Sequence, residues 1–171
     1  MIRRRSLNRL KSKSTDPSSP EQVYLHALRL LTARDYTEAR LREKFRIRNY
    51  DEADIDAALY RLITEGWVDD RRFAERFAES AVASSRYFGQ RLRQEMRRRG
   101  IPKEIVSEVL GRVLKDHDEA DDIRLILARR FGAFSHSTAS DKEKRRAFGF
   151  LQRRGFGLSS IWRAMRTTGE E

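Results

Sequence analysis

Three stretches of this chain fall into register when written one beneath another: LREKFRIRNY (41–50), LRQEMRRRGI (92–101) and AFGFLQRRGF (147–156). Leu41, Leu92 and Ala147 share a column, as do Phe45, Met96 and Leu151, and then Tyr50, Ile101 and Phe156. The offsets are 51 and 55 residues, and the polar loop FGAFSHSTASD (131–141) absorbs the difference. Apolar residues four apart mark one face of a helix. Asn49, Gly100 and Gly155 occupy the column where that helix must end, and Asn and Gly are the residues that accept left-handed backbone there. A string that returns at about fifty residues is one supersecondary unit repeated.

Helical periodicity continues on both sides of each string. Val23, Ala27, Leu30 and Leu31 make an apolar stripe, as do Phe73, Phe77 and Ala81, and Ile123, Ile126 and Leu127. After each string a further helix follows, with Ile55, Ile105 and Ile161 opening its apolar face. No segment alternates with a period of two. The expected fold is all-α: nine helices in three tandem three-helix, helix-turn-helix-like repeats forming a curved array. The units are residues 21–68, 69–116 and 117–171, preceded by a basic flexible arm at 1–20. Pro102 suits the first turn of one helix and Asp51 the N-cap of another, while Gly66 and Gly132 end two more.

The 171 residues carry 37 Lys and Arg against 26 Asp and Glu, a net charge of +11. Such an excess calls for a polyanionic partner. The arm supplies Arg3, Arg4, Arg5, Arg9, Lys11 and Lys13 against Asp16 alone. Without cysteine there is no disulfide and no thiolate metal site. No apolar run is long enough to span a membrane, and the first twenty residues lack the apolar core of a secretory signal, so a cytoplasmic protein is expected.

Catalytic patterns are missing: there is no phosphate-cradling GxxxxGK, no dinucleotide fingerprint, no nucleophile elbow and no HExxH. The pair Asp69-Asp70 reads as one residue capping a helix that begins at Arg71 and one complementing its dipole. The run KDHDEADD (115–122) reads as an acid-rich helix start rather than a cation loop, because it lacks the spaced Asp/Asn/Gly pattern. His26 and His136 have no ligand-like spacing. The chain is expected to be non-enzymatic and to need no cofactor or metal.

Two segments concentrate the charge: RYFGQRLRQEMRRR (86–99) and KEKRRAFGFLQRR (142–154), each with six cations and one Glu. At 100° per residue, Arg91 and Arg98 lie on one flank of their helix, about 100° from the apolar seam. Arg146 and Arg153 hold the equivalent places, and Arg40 holds the first of them in the opening unit, where the second is Ile47. Positions seven apart are about 10 Å apart along a helix, so two guanidiniums can follow the phosphates of one strand. Arg93 and Arg97 on the opposite flank, Lys142 and Arg145 at the start of the later helix, and Arg3, Arg4 and Arg5 of the arm complete the candidate binding set. Arg48, Arg99 and Arg154 also coincide, but sit near the apolar seam in the last turn, where an Arg stem covers the core and its charge suits the helix C-terminus. Tyr87, Phe88, Phe148 and Phe150 interleave with the cations; such rings either stack on bases or, more often, belong to the core.

Three further strings, WVDDRRFAERF (67–77), GQRLRQEMRRRGIP (89–102) and FLQRRGF (150–156), resemble the motifs of the RecX family, bacterial regulators of the RecA recombinase. ALRLLTARDYTEARLREKF (27–45) resembles that family's first repeat. The resemblance covers about residues 21–168 and implies three three-helix repeats that bind the RecA filament on DNA, inhibit its growth and ATP turnover, and contact single- and double-stranded DNA without sequence preference. It implies no catalytic residue. A monomer is expected. The alternatives are a sequence-specific helix-turn-helix regulator and a helical adaptor that binds only protein.

Overall fold

The computed structural model describes residues 19–115, 117–132 and 134–168. The described residues form nine helices and no strand. These are α1 (Pro20–Leu31), α2 (Glu38–Ile47), α3 (Glu52–Thr64), α4 (Asp70–Ala83), α5 (Gly89–Arg98), α6 (Lys103–Val113), α7 (Glu119–Phe131), α8 (Asp141–Arg154) and α9 (Leu158–Thr167). The arm residues Arg3, Arg4 and Arg5 lie outside the described residues.

Packing divides the helices by threes. The first and third helices of each group pair most extensively, α1 with α3, α4 with α6 and α7 with α9, and the second helix packs on the third. The aligned seam residues Leu41, Leu92, Ala147, Phe45, Met96 and Leu151 are fully buried. In the second group the residue that opens the face of α6 is Val106, fully buried, whereas Ile105 is only half-buried. The reason is register: the 51-residue offset that aligns the seams carries Ile55 onto Val106, not Ile105.

Local signals set the helix ends. Ser19 caps α1, accepting from the Gln22 N–H, with Pro20 at the first helical position. Asp69 caps α4, which starts at Asp70, one residue before the expected Arg71. Pro102 sits at the N-cap of α6 rather than inside its first turn. Ser140 and Glu143 close a reciprocal capping box at α8. Asn49, Gly100 and Gly155 are left-handed, with φ of 58°, 82° and 101°.

The repeats meet through their second helices, which abut end to end. The hydroxyl of Thr37, N-cap of α2, donates to the carbonyl of Arg99 at the C-terminus of α5 at 2.6 Å. One repeat further on, the N–H of Phe88, N-cap of α5, donates to the carbonyl of Arg154 at the C-terminus of α8 at 2.8 Å. Thr37 and Phe88 are 51 residues apart, so the two joints fall at the same place in the repeat, with a side-chain hydroxyl as donor in the first and a backbone N–H in the second. Each joins the partially negative end of one helix to the partially positive end of the next and satisfies carbonyls that would otherwise be orphaned. Asp70 reinforces the first joint: it is half-buried and accepts the Glu38 N–H of α2 at 2.9 Å, serving the neighbouring repeat as well as its own helix.

The two joints differ in substance. Phe88 stacks on Phe156 at 4.1 Å, and the second and third repeats share one continuous apolar core. The first repeat keeps a separate core, around Phe45, Leu59 and Leu62. It meets the second through the close approach of Ala39 to Gly100 and through polar contacts, adding Arg40 to the Arg98 carbonyl at 2.8 Å and Arg76 to Asp35 at 3.1 Å.

Candidate nucleic-acid interface

The fold sorts the cations of the second helices into three groups. On α2 the three arginines are paired with carboxylates, while Lys44 lies over the Tyr36 ring at 5.4 Å. Arg40 pairs with Glu43 at 2.5 Å while bridging to the Arg98 carbonyl, Arg42 pairs with Glu38 and Asp56, and Arg46 with Glu52.

On α5 three arginines converge on one carboxylate. Glu95 is buried, and Arg91, Arg98 and Arg99 reach it at 2.8, 3.0 and 2.8 Å. The Arg99 hydrogen bond, aided by the charges of Arg98 and Arg91, holds the Glu95 carboxyl below its usual range against the opposing pull of burial. Arg99 also donates to the Glu95 carbonyl and lies over the Phe77 ring at 4.1 Å, so it is built into the fold. Arg91 and Arg98 keep exposed heads and share Glu95. Arg93 donates to the Ser107 hydroxyl at 3.2 Å, and Arg97 faces solvent on that opposite flank.

On α8 the cations stand alone. Lys142, Arg145, Arg146 and Arg153 are exposed and have no ion-pair partner among the described residues. Lys142, Arg146, Gly149 and Arg153 recur at i, i+4, i+7 and i+11, a stripe about 16 Å long that forms an exposed crest on the solvent side of α8, away from the Ala147/Leu151 seam. Gly149 adds no side chain to that stripe, and the Arg153 guanidinium folds back beside it. Arg154 differs from its neighbour Arg153. It is half-buried, donates to the Ser85 carbonyl of the preceding repeat and lies over Phe150 at 4.4 Å; burial, with the nearby charge of Arg130, pushes its pKa down. Of the matched trio Arg48, Arg99 and Arg154, the last two serve the joints, while Arg48 is exposed.

The aromatic residues divide likewise. Phe88 is core. Tyr87 packs against Phe77, and Phe150 turns to Phe131 of α7. Phe148 turns the other way, to Trp162 of α9 at 5.1 Å, and both rings stay partly exposed. Trp162 and Glu95 escape a reading of spacing. The available signals were a lone Trp in the sequence of the short helix α9, and a single Glu among six arginines. Among the described residues no three His, Asp or Glu side chains converge as a metal site; His117 instead contacts Asp122 at 3.2 Å. No helix there is long and apolar enough to cross a membrane.

Fold and surface together define a tandem helical-repeat protein with an uncompensated cationic crest on its last repeat. Family models describing the first, second and third three-helix domains of RecX match residues 24–62, 69–110 and 117–165. A Regulatory protein RecX from Trichlorobacter lovleyi is 42% identical over 142 residues, covering 83% of this chain and 92% of that one. Another from Thermus thermophilus is 36% identical over 150 residues, covering 88% and 94%. The crystal structure of RecX from Lactobacillus salivarius superposes with a TM-score of 0.68 at 18% identity, covering 85% of this chain and 94% of that one. The chain belongs to the RecX family of regulatory proteins.

Proposed function

We propose that this protein regulates a RecA-type recombinase by docking on the recombinase–DNA filament, restraining its growth and ATP turnover. Family membership supports the regulatory role. The observation that carries direct DNA contact is the α8 crest, where Lys142, Arg146 and Arg153 have no carboxylate partner among the described residues, while the three arginines of the equivalent helix in the first repeat are each paired with a carboxylate. Guanidiniums and ammoniums in a row hold phosphates without reading bases, so binding is non-specific and salt-sensitive. Arg145, and Arg91 and Arg98 once drawn from Glu95, extend the surface. The protein acts in the cytoplasm as a monomer, by occupancy and without a cofactor or catalytic step of its own. A stoichiometric titration into the cognate recombinase on single-stranded DNA, following ATP hydrolysis, tests the role; unchanged hydrolysis refutes it. A strong preference for one duplex sequence would instead favour a site-specific helix-turn-helix regulator.

A further inference from the structure

Beside the cationic crest, α8 and α9 enclose a cleft of about 290 Å³ lined by Asp141, Lys144, Arg145, Phe148, Gly149 and Trp162. Its walls are the Phe148 and Trp162 rings, tilted at 43° to each other, with Trp162 46% exposed. Gly149 lies mid-helix, where glycine is less favourable than alanine. At this position it leaves the space between the crest and the rings open. Lys144, Arg145, Arg163 and Arg166 have no ion-pair partner among the described residues, and Asp141 is the single acid of the lining. From residue 141 to residue 168 the chain carries eight cations and two acids.

We infer that this cleft takes an unstacked base of single-stranded DNA, which rests on Trp162 and Phe148 while its flanking phosphates lie on Lys144, Arg145 and the crest. An apolar ring pair by itself would suit many partners. Uncompensated cations within the lining and along the adjoining stripe select a polyanion, and exposed aromatic faces select one whose bases are free. Only a single strand offers both, because duplex bases are already stacked. The inference rests on the DNA-binding reading above and adds strand selectivity to it: the crest serves either form of DNA, the cleft only the single strand.

The test uses the full chain with Trp67→Phe, leaving Trp162 as the only fluorophore of its kind. Titration with an oligothymidylate should quench that emission, whereas a duplex of equal length should leave it nearly unchanged. Trp162→Ala and Phe148→Ala should weaken oligothymidylate binding about tenfold or more, as loss of one stacked base predicts, with duplex affinity changed less than twofold. Trp162→Phe, which keeps a ring, should restore most of the affinity and guards against misfolding as the cause. Equal losses on both forms of DNA, or no quenching, overturn the base site while leaving the DNA-binding reading intact. Failure of the parent chain to bind either form overturns both. Unchanged single-strand affinity with lost recombinase inhibition assigns the cleft to the protein partner and also overturns the inference.

Discussion

A methyl group added at Gly100 would test the end-to-end joint directly. Gly100 has φ of 82°, and a Cβ there would drive into the Cβ of Ala39 at the start of α2, far inside van der Waals contact. Two costs therefore add in Gly100→Ala. Left-handed backbone costs a residue with a Cβ about 1–2 kcal/mol. Forcing a methylene-sized group into a packed contact costs about 1–3 kcal/mol more. Gly66 supplies the control, since its φ is 77° but nothing lies within 4 Å of an added Cβ, so Gly66→Ala incurs the backbone cost alone. At about 2–4 °C per kcal/mol for a chain of this size, Gly66→Ala should lower the melting temperature by roughly 2–8 °C and Gly100→Ala by roughly 4–20 °C. Calorimetry of these two variants, of Ala39→Gly alone and of Gly100→Ala combined with Ala39→Gly completes the experiment. The double variant removes the clash partner, so it should recover about 1–2 kcal/mol beyond the sum of the single effects. If Gly100→Ala melts no lower than Gly66→Ala, or if Ala39→Gly gives no recovery, the joint is not the close contact described here.

Glu95→Gln should destabilise the protein by about 2–3 kcal/mol at pH 7, because it weakens charge-assisted bonds from three arginines that remain partly in water. Since the folded pKa of Glu95 is depressed, its contribution is complete above the unfolded value near pH 4.3 and is lost as pH falls through the folded value; the pH–stability curve of Glu95→Gln should be flatter across that acid window. The same variant releases Arg91 and Arg98, so DNA affinity at low salt should rise even as the melting temperature falls. Arg99→Ala should cost about 2 kcal/mol in denaturant unfolding with little change in DNA binding, and lost binding at normal stability would reverse that assignment. Arg153→Ala should reduce the salt slope of duplex binding by up to about 0.9, and Arg98→Ala by less, because Arg98 already shares Glu95.

The repeat, the helix count and the ends of the second helices were legible in the sequence. Seam residues four apart and a left-handed column are local properties, fixed by helix geometry whatever packs outside. Even the register of α6 was present in the 51-residue offset, although Ile105 is the more conspicuous residue and Val106 the correct one. What the sequence left equivalent, tertiary structure separated. Arg98 and Arg153 occupy the same flank at matched positions, yet Arg98 contacts a buried Glu95 whose counterpart on α8 is Phe150. Arg40 matches Arg91 and Arg146, yet it serves a joint.

By itself, then, the sequence determined the repeating three-helix unit and the total charge, because both follow from residue type and spacing along one chain. The tertiary structure completed the sorting of the charges: the carboxylates that pair with these arginines lie within 14 residues of them, but which of the pairs form depends on the packing, and the carbonyls that hold Arg40 and Arg154 come from 58 and 69 residues away. The closing column shows the division most plainly. Asn, Gly and Gly all satisfy a left-handed turn. Glycine is further required at 100 and 155 because the second helix of the preceding repeat presses on those turns, at Ala39 and at Phe88 and Arg91. Among the described residues no preceding repeat meets the turn at 49, and there Asn is enough.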